Sequence, residues 1–197
     1  MRRRWLRTVG LTVWGLMLAP ALHAQPLPAP TPDPDPALRV ALMAAVTEAD
    51  SFPHRFDAEV WLLDMSVRLQ RYLPDDAERF EFLRLVHAEA RRARLSPELV
   101  LAVIDVESRF DRYAISHAGA LGLMQVMPFW LKELGRPDDN LFNVQTNLRY
   151  GCTILRHYLD REKGNLLPAL ARYNGSYGRP QYPALVTRAL SARWTVR

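Results

Sequence analysis

Apolar residues recur at intervals of three and four along most of the chain, the period of a helix with one buried face. The spacing predicts amphipathic helices over 37–50, 57–72 and 76–94, with Leu83, Val86, His87 and Ala90 sharing one side of the third. At Ser96, Pro97 and Glu98 an N-cap, a first helical residue and a first-turn acid follow in order, each favoured where free N–H groups and the positive dipole end lie. A helix is expected from Pro97 to about Phe110, and others over 128–134, 144–162, 166–173 and 183–194. No stretch shows convincing strand alternation, so the expected class is all-α, its longest connection running from about Asp111 to Gln125.

Two segments break this pattern. Residues 8–21 are apolar and uncharged, follow Arg2, Arg3, Arg4 and Arg7, and end near the small residue Ala24. The run is shorter than the roughly 20 residues that span a bilayer, and the layout is that of a secretory signal. An uncleaved anchor is the alternative. Residues 25–36 alternate proline with Ala, Asp and Leu, which blocks regular hydrogen bonding and favours an extended spacer. The expected organisation is a signal peptide over 1–24, a linker over 25–36, an N-terminal helical extension over 37–75 and the main domain over 76–197. Export to the periplasm follows, with no stable membrane span in the mature form.

Composition changes the picture in two respects. The formal charge of +5 invites a nucleic-acid partner, but four of the 26 basic residues lie in the leader, which holds no acid, and the remainder is close to neutral against 21 acids. Electrostatic capture of nucleic acid loses its support. Cys152 is the only cysteine, which excludes an intrachain disulfide and a Cys-rich metal site. With no nucleotide loop or cofactor motif either, neither metal nor cofactor is expected. The extension carries Phe52, Phe56, Trp61, Leu62, Leu63 and Met65, apolar surface for docking on the main domain or for a protein partner in the envelope.

The candidate chemistry sits on the helix that starts at Pro97. Val100, Val103, Ile104 and Glu107 fall on one face, so the carboxyl shares the side that the apolar residues bury. Burial without a cationic partner raises a carboxyl pKa and fits a glutamic acid for general acid work near neutral pH. The pattern alone is equally met by an acid at the helix edge that reaches water. Asp105 points away from that face, four residues before Arg109, and reads as half of a solvated ion pair with no chemistry. Asp111, Asp138 and Asp139 lie among turn residues and read as turn formers. Gly119, Ala120 and Gly122 make a small-residue loop that lets backbone approach a ligand, and Gln125 follows with an amide that both donates and accepts.

Taken in register, Glu107-Ser108-Arg109-Phe110, Ala114, Ser116, Gly119-Ala120, Gly122-Leu123-Met124-Gln125 and Met127-Pro128 closely resemble the soluble lytic transglycosylase catalytic domain. The resemblance continues through Asn147, Gly151, Tyr158 and Tyr173-Asn174-Gly175, about half the chain. It implies a lysozyme-like helical domain, of the goose-type lysozyme kind, with a saccharide groove for peptidoglycan glycan strands. By carry-over Glu107 protonates the glycosidic oxygen of the β-1,4 bond between N-acetylmuramic acid and N-acetylglucosamine. It then takes the proton of the muramoyl C6 hydroxyl as a 1,6-anhydro ring closes, so one carboxyl serves as acid and base. The resemblance also implies that Ser116 and Gln125 hydrogen-bond the glycan and Met127 packs on a sugar. Tyr173 is to place its hydroxyl close to Glu107, and Asn174 to support that corner. The chain departs from the family at Arg172, where a small residue is usual, at Gly175-Ser176, where Ala-Gly is frequent, and at Phe129-Trp130, where a threonine or other small residue usually follows the proline.

Overall fold

The computed structural model describes residues 55–134 and 138–195. The signal segment, the linker and the helix expected over 37–50 lie outside the described residues. Seven α-helices are described: α1 (Arg55–Leu69), α2 (Asp76–Arg92), α3 (Pro97–Glu107), α4 (Phe129–Leu134), α5 (Val144–Arg161), α6 (Leu166–Tyr173) and α7 (Gln181–Ala189). A π-helical turn, Leu190–Trp194, continues α7. Among the described residues there is no strand, only isolated antiparallel bridges joining Ile115 to Leu121 and Leu121 to Val126. The class is all-α, as the periodicity predicts, and no described helix is long and apolar enough to cross a membrane.

Side-chain caps set the starts. Asp75 accepts from Glu78 N, Ser96 from Leu99 N and Asn143 from Thr146 N, each satisfying an amide that the first helical turn leaves open. Proline is tolerated in a first turn, which is why α7 begins at Gln181, two residues before the expected Pro183.

α3 is shorter than expected. Arg109 and Phe110 take φ of 52° and 68°, left-handed values that end a helix and disfavour L side chains. Phe110 is nonetheless buried, with ring centroids 4.7 Å from Tyr72 and 5.4 Å from Trp194. Burying a phenylalanine is worth about 1.5–3 kcal/mol, of the same order as the roughly 2–4 kcal/mol that two left-handed residues cost.

α3 runs through the middle of the core. Leu101, Ala102, Val103 and Ile104 are fully buried, and α2, α7 and the π-helical turn pack around them. α1 adds Trp61, Leu62, Met65 and Leu69 to the same core, whereas Phe56 and Leu63 stay exposed. Trp61 also donates from Nε1 to the Glu98 carboxylate at 2.7 Å, tying α1 to the start of α3. Cys152 is fully buried, and burial pushes its thiol pKa up.

Candidate active site

Glu107 is the last residue of α3, half-buried beside the apolar face its spacing predicts. Burial raises its pKa from 4.5 to about 7, and hydrogen bonds from Tyr182 and Asn174 hold the rise back. Two other carboxylates are buried more deeply, and each has an arginine. Glu89 lies between Arg92 and Arg149, at 2.6 Å from both, and Asp105 lies 2.6 Å from Arg193 Nε. Glu107 has neutral partners, and this leaves it able to carry a proton near neutral pH.

Asp105 corrects the sequence expectation. It is buried, not solvated, and its cation is Arg193, not Arg109. Oδ2 also accepts from Trp194 Nε1 at 2.9 Å, and Oδ1 from the Tyr72 hydroxyl at 3.2 Å. The carboxylate does point away from Glu107, but the C-terminal π-helical turn covers that side of α3.

The hydroxyl in contact with Glu107 belongs to Tyr182, which the sequence reading did not pick out. It donates to Glu107 Oε1 at 2.6 Å from the first turn of α7, and Tyr182 is itself buried. Tyr173, at the end of α6, donates instead to the Met124 carbonyl at 2.7 Å. It still lies in the field of Glu107, whose charge adds to burial in raising the tyrosine's pKa. Asn174 follows it as the C-cap of α6.

Because the Tyr182 bond favours the ionised form of Glu107, its removal raises the carboxyl pKa further. Tyr182→Phe is expected to move the alkaline limb of the pH–activity profile to higher pH. A limb that stays in place or moves down contradicts this role for Tyr182.

The loop that faces this corner is built on backbone. Ser116 N and Ala120 O bond at 3.0 Å, and Leu121 and Val126 exchange bonds at 3.0 Å. Gly122, at φ 73°, needs its missing side chain twice, since a Cβ there would meet Asn147 Nδ2 at 2.5 Å and Leu141 O at 2.6 Å. Ser116 Oγ accepts from Ala120 N at 3.0 Å. Gln125 donates from its amide to Gly122 O at 2.9 Å and Ala114 O at 3.2 Å. Asn147 fastens the loop to α5: its Oδ1 accepts from Met124 N at 2.8 Å, and its Nδ2 donates to Leu121 O and Leu141 O at 2.9 and 2.8 Å. Met127 is half-buried and Phe129 exposed, with the Trp130 ring 4.9 Å from that of Phe129. Asp111 caps a turn through Tyr113 N, and Asp139 accepts from the Tyr150 hydroxyl. Arg172 pairs with Glu162 and lies 3.7 Å over the Tyr177 ring, so the unusual arginine occupies the rim of α6.

Fold and site together define a lysozyme-like helical domain built round one glutamic acid with neutral partners. The chain belongs to the transglycosylase SLT domain family, whose model matches residues 84–183. It is 40% identical over 109 residues to the membrane-bound lytic murein transglycosylase C of Histophilus somni (strain 2336), a match covering 49% of this chain and 27% of that protein. It is 35% identical over 119 residues to the protein of the same name from Actinobacillus pleuropneumoniae serotype 5b (strain L20), covering 55% and 30%. A transglycosylase of Enterobacteria phage PRD1 is 34% identical over 99 residues, covering 50% and 36%. The chain therefore spans between about a quarter and about a third of the length of these relatives.

Proposed function

We propose that the chain is an exported lytic transglycosylase that cuts peptidoglycan glycan strands in the periplasm, with Glu107 as its single acid and base. The observation that carries this reading is the place of Glu107, half-buried at the end of α3 with only neutral hydrogen-bond partners, Tyr182 and Asn174, where burial raises its pKa to about 7. Protonated, the carboxyl gives its proton to the glycosidic oxygen between N-acetylmuramic acid and N-acetylglucosamine, and the bond to the muramoyl anomeric carbon breaks. The resulting carboxylate takes the proton of the muramoyl C6 hydroxyl as that oxygen bonds the anomeric carbon. The product is a 1,6-anhydromuramoyl end, with no water consumed, and Glu107 is left protonated for the next cycle. Ordinary glycosidases use two carboxylates at a set separation. Here Asp111 and Asp139 are engaged in turn and loop contacts, which favours the one-carboxyl route.

Tyr182 and Asn174 steady the carboxylate at the stage when it is charged. Ser116 has a hydroxyl proton to give, and Gln125, whose amide N–H groups hold the loop, has Oε1 to receive a hydrogen bond from the glycan. Met127 packs on a sugar face. Tyr173 fixes the cleft wall at Met124.

Mass spectrometry of muropeptides released from purified sacculi tests the reading. Anhydromuramoyl ends are expected from the parent protein. Reducing ends would make it a hydrolytic muramidase of the goose-type lysozyme kind, and binding without products a glycan-binding scaffold.

A further inference from the structure

Behind Glu107, on the side of α3 that Asp105 faces, two adjoining hollows of about 350 and 390 Å³ share Arg71 and Arg193 in their walls. Arg109 lines the second, with Tyr72, and Trp194 the first. The charges here do not cancel. Asp105 is buried and already accepts from Arg193, Trp194 and Tyr72. Arg68, in the wall of the first hollow, is taken up by Asp64 and by the carbonyls of Arg193 and Thr195. Arg71 has no carboxylate among the described residues; its guanidinium bonds the Tyr72 hydroxyl at 2.8 Å and lies 4.6 Å from that ring's centroid. Arg109 has neither a hydrogen bond nor an ion pair among the described residues, and its left-handed backbone belongs to the turn that ends α3. Arg193 uses Nε on Asp105 and keeps its outer N–H groups. Three guanidinium groups thus edge one hollow against a single saturated acid, and planar forks of this kind take carboxylates or phosphates two bonds at a time.

We propose that Arg71, Arg109 and Arg193 form a receptor for a carboxylate on the peptide stem of the strand being cut. This rests on reading the Glu107 site as one that cleaves peptidoglycan. Reach supports it: Arg109 stands two residues past Glu107 in the turn that ends α3, so their Cα atoms lie at most roughly 7 Å apart. An extended stem of four residues spans at most roughly 13–14 Å, enough to reach Arg109 from a sugar at Glu107. Hollows of this volume have room for a segment of peptide and not for one carboxylate alone, which suits a carboxylate carried on a tethered stem.

The test uses the full chain, its Arg109→Gln form and the double Arg71→Gln, Arg109→Gln form. Arg193 is left alone because Asp105 depends on it. On peptide-bearing strands the double variant is expected to raise KM about tenfold with kcat unchanged, and on strands stripped of peptide to change neither. Calorimetry with a synthetic stem tetrapeptide supplies a readout without turnover: the parent binds, more weakly as salt rises, and the double variant does not. Equal effects on both substrates would overturn the receptor, as would a parent that cleaves peptide-bearing strands but binds no peptide. Loss of binding to phosphatidylglycerol vesicles, with no response to peptide, would assign the cluster to lipid phosphate instead. If the parent cleaves neither substrate the catalytic reading fails, and the peptide calorimetry still decides the receptor.

Discussion

Glu107→Gln is expected to lower glycan cleavage by about a thousandfold or more, within the range that a positioned acid contributes and raised toward its upper end because in the proposed mechanism one group serves both steps. The amide keeps the shape of the side chain and its place beside Tyr182 and Asn174, so glycan binding persists. In the parent the rate should fall as pH rises through about 7, where the buried carboxyl gives up its proton. Stability follows the same group. Below 4.5 the folded and unfolded chains both hold the proton, and its contribution is complete. Between 4.5 and about 7 the unfolded chain ionises first, so stability declines as pH rises, by up to about 3 kcal/mol once both are charged. His87, whose pKa burial lowers to about 4, acts in the opposite sense, costing stability as pH falls from 6.5. Denaturant unfolding of parent and variant at each pH separates the two, since only the Glu107 part differs between them. A variant that keeps its activity, or a difference that is flat from pH 4.5 to 8, would remove Glu107 from the mechanism.

Asp105→Ala should cost about 3 kcal/mol, the lower end of what removing one partner of a buried ion pair costs, because Arg193 is 41% exposed and regains water. Trp194 is only 1% exposed and does not: its indole N–H would lose its acceptor. For a chain of this size the melting temperature should fall by roughly 6–12 °C. A shift under about 1 °C would mean that the π-helical turn is held by its packing alone.

Asp105 also marks where sequence reasoning stopped. Its partners lie 33, 88 and 89 residues away, and helical spacing tells only which side of α3 it occupies, not what covers that side. Tyr182 was hidden for the same reason, 75 residues from Glu107, with no local pattern beyond an aromatic residue before a proline. What was legible was local. The Ser96-Pro97 start fixed α3, the apolar spacing put Glu107 on the buried face, and α6 runs from Leu166 to Tyr173 as its pattern predicts. α3 ends before its apolar spacing predicts because Arg109 and Phe110 adopt left-handed conformations without a glycine to announce them; the aromatic rings packed round Phe110 are tertiary neighbours that no local pattern shows.

The fork of Asn147 bears on how this cleft can be altered. An aspartate in its place has the acceptor for Met124 N but no pair of N–H groups for the carbonyls of Leu121 and Leu141, and a glutamine carries the fork one methylene too far. The amide is also neutral at every pH at which the protein is folded. The fork that holds the loop to α5 therefore has no charge of its own to gain or lose over the pH range in which Glu107 titrates.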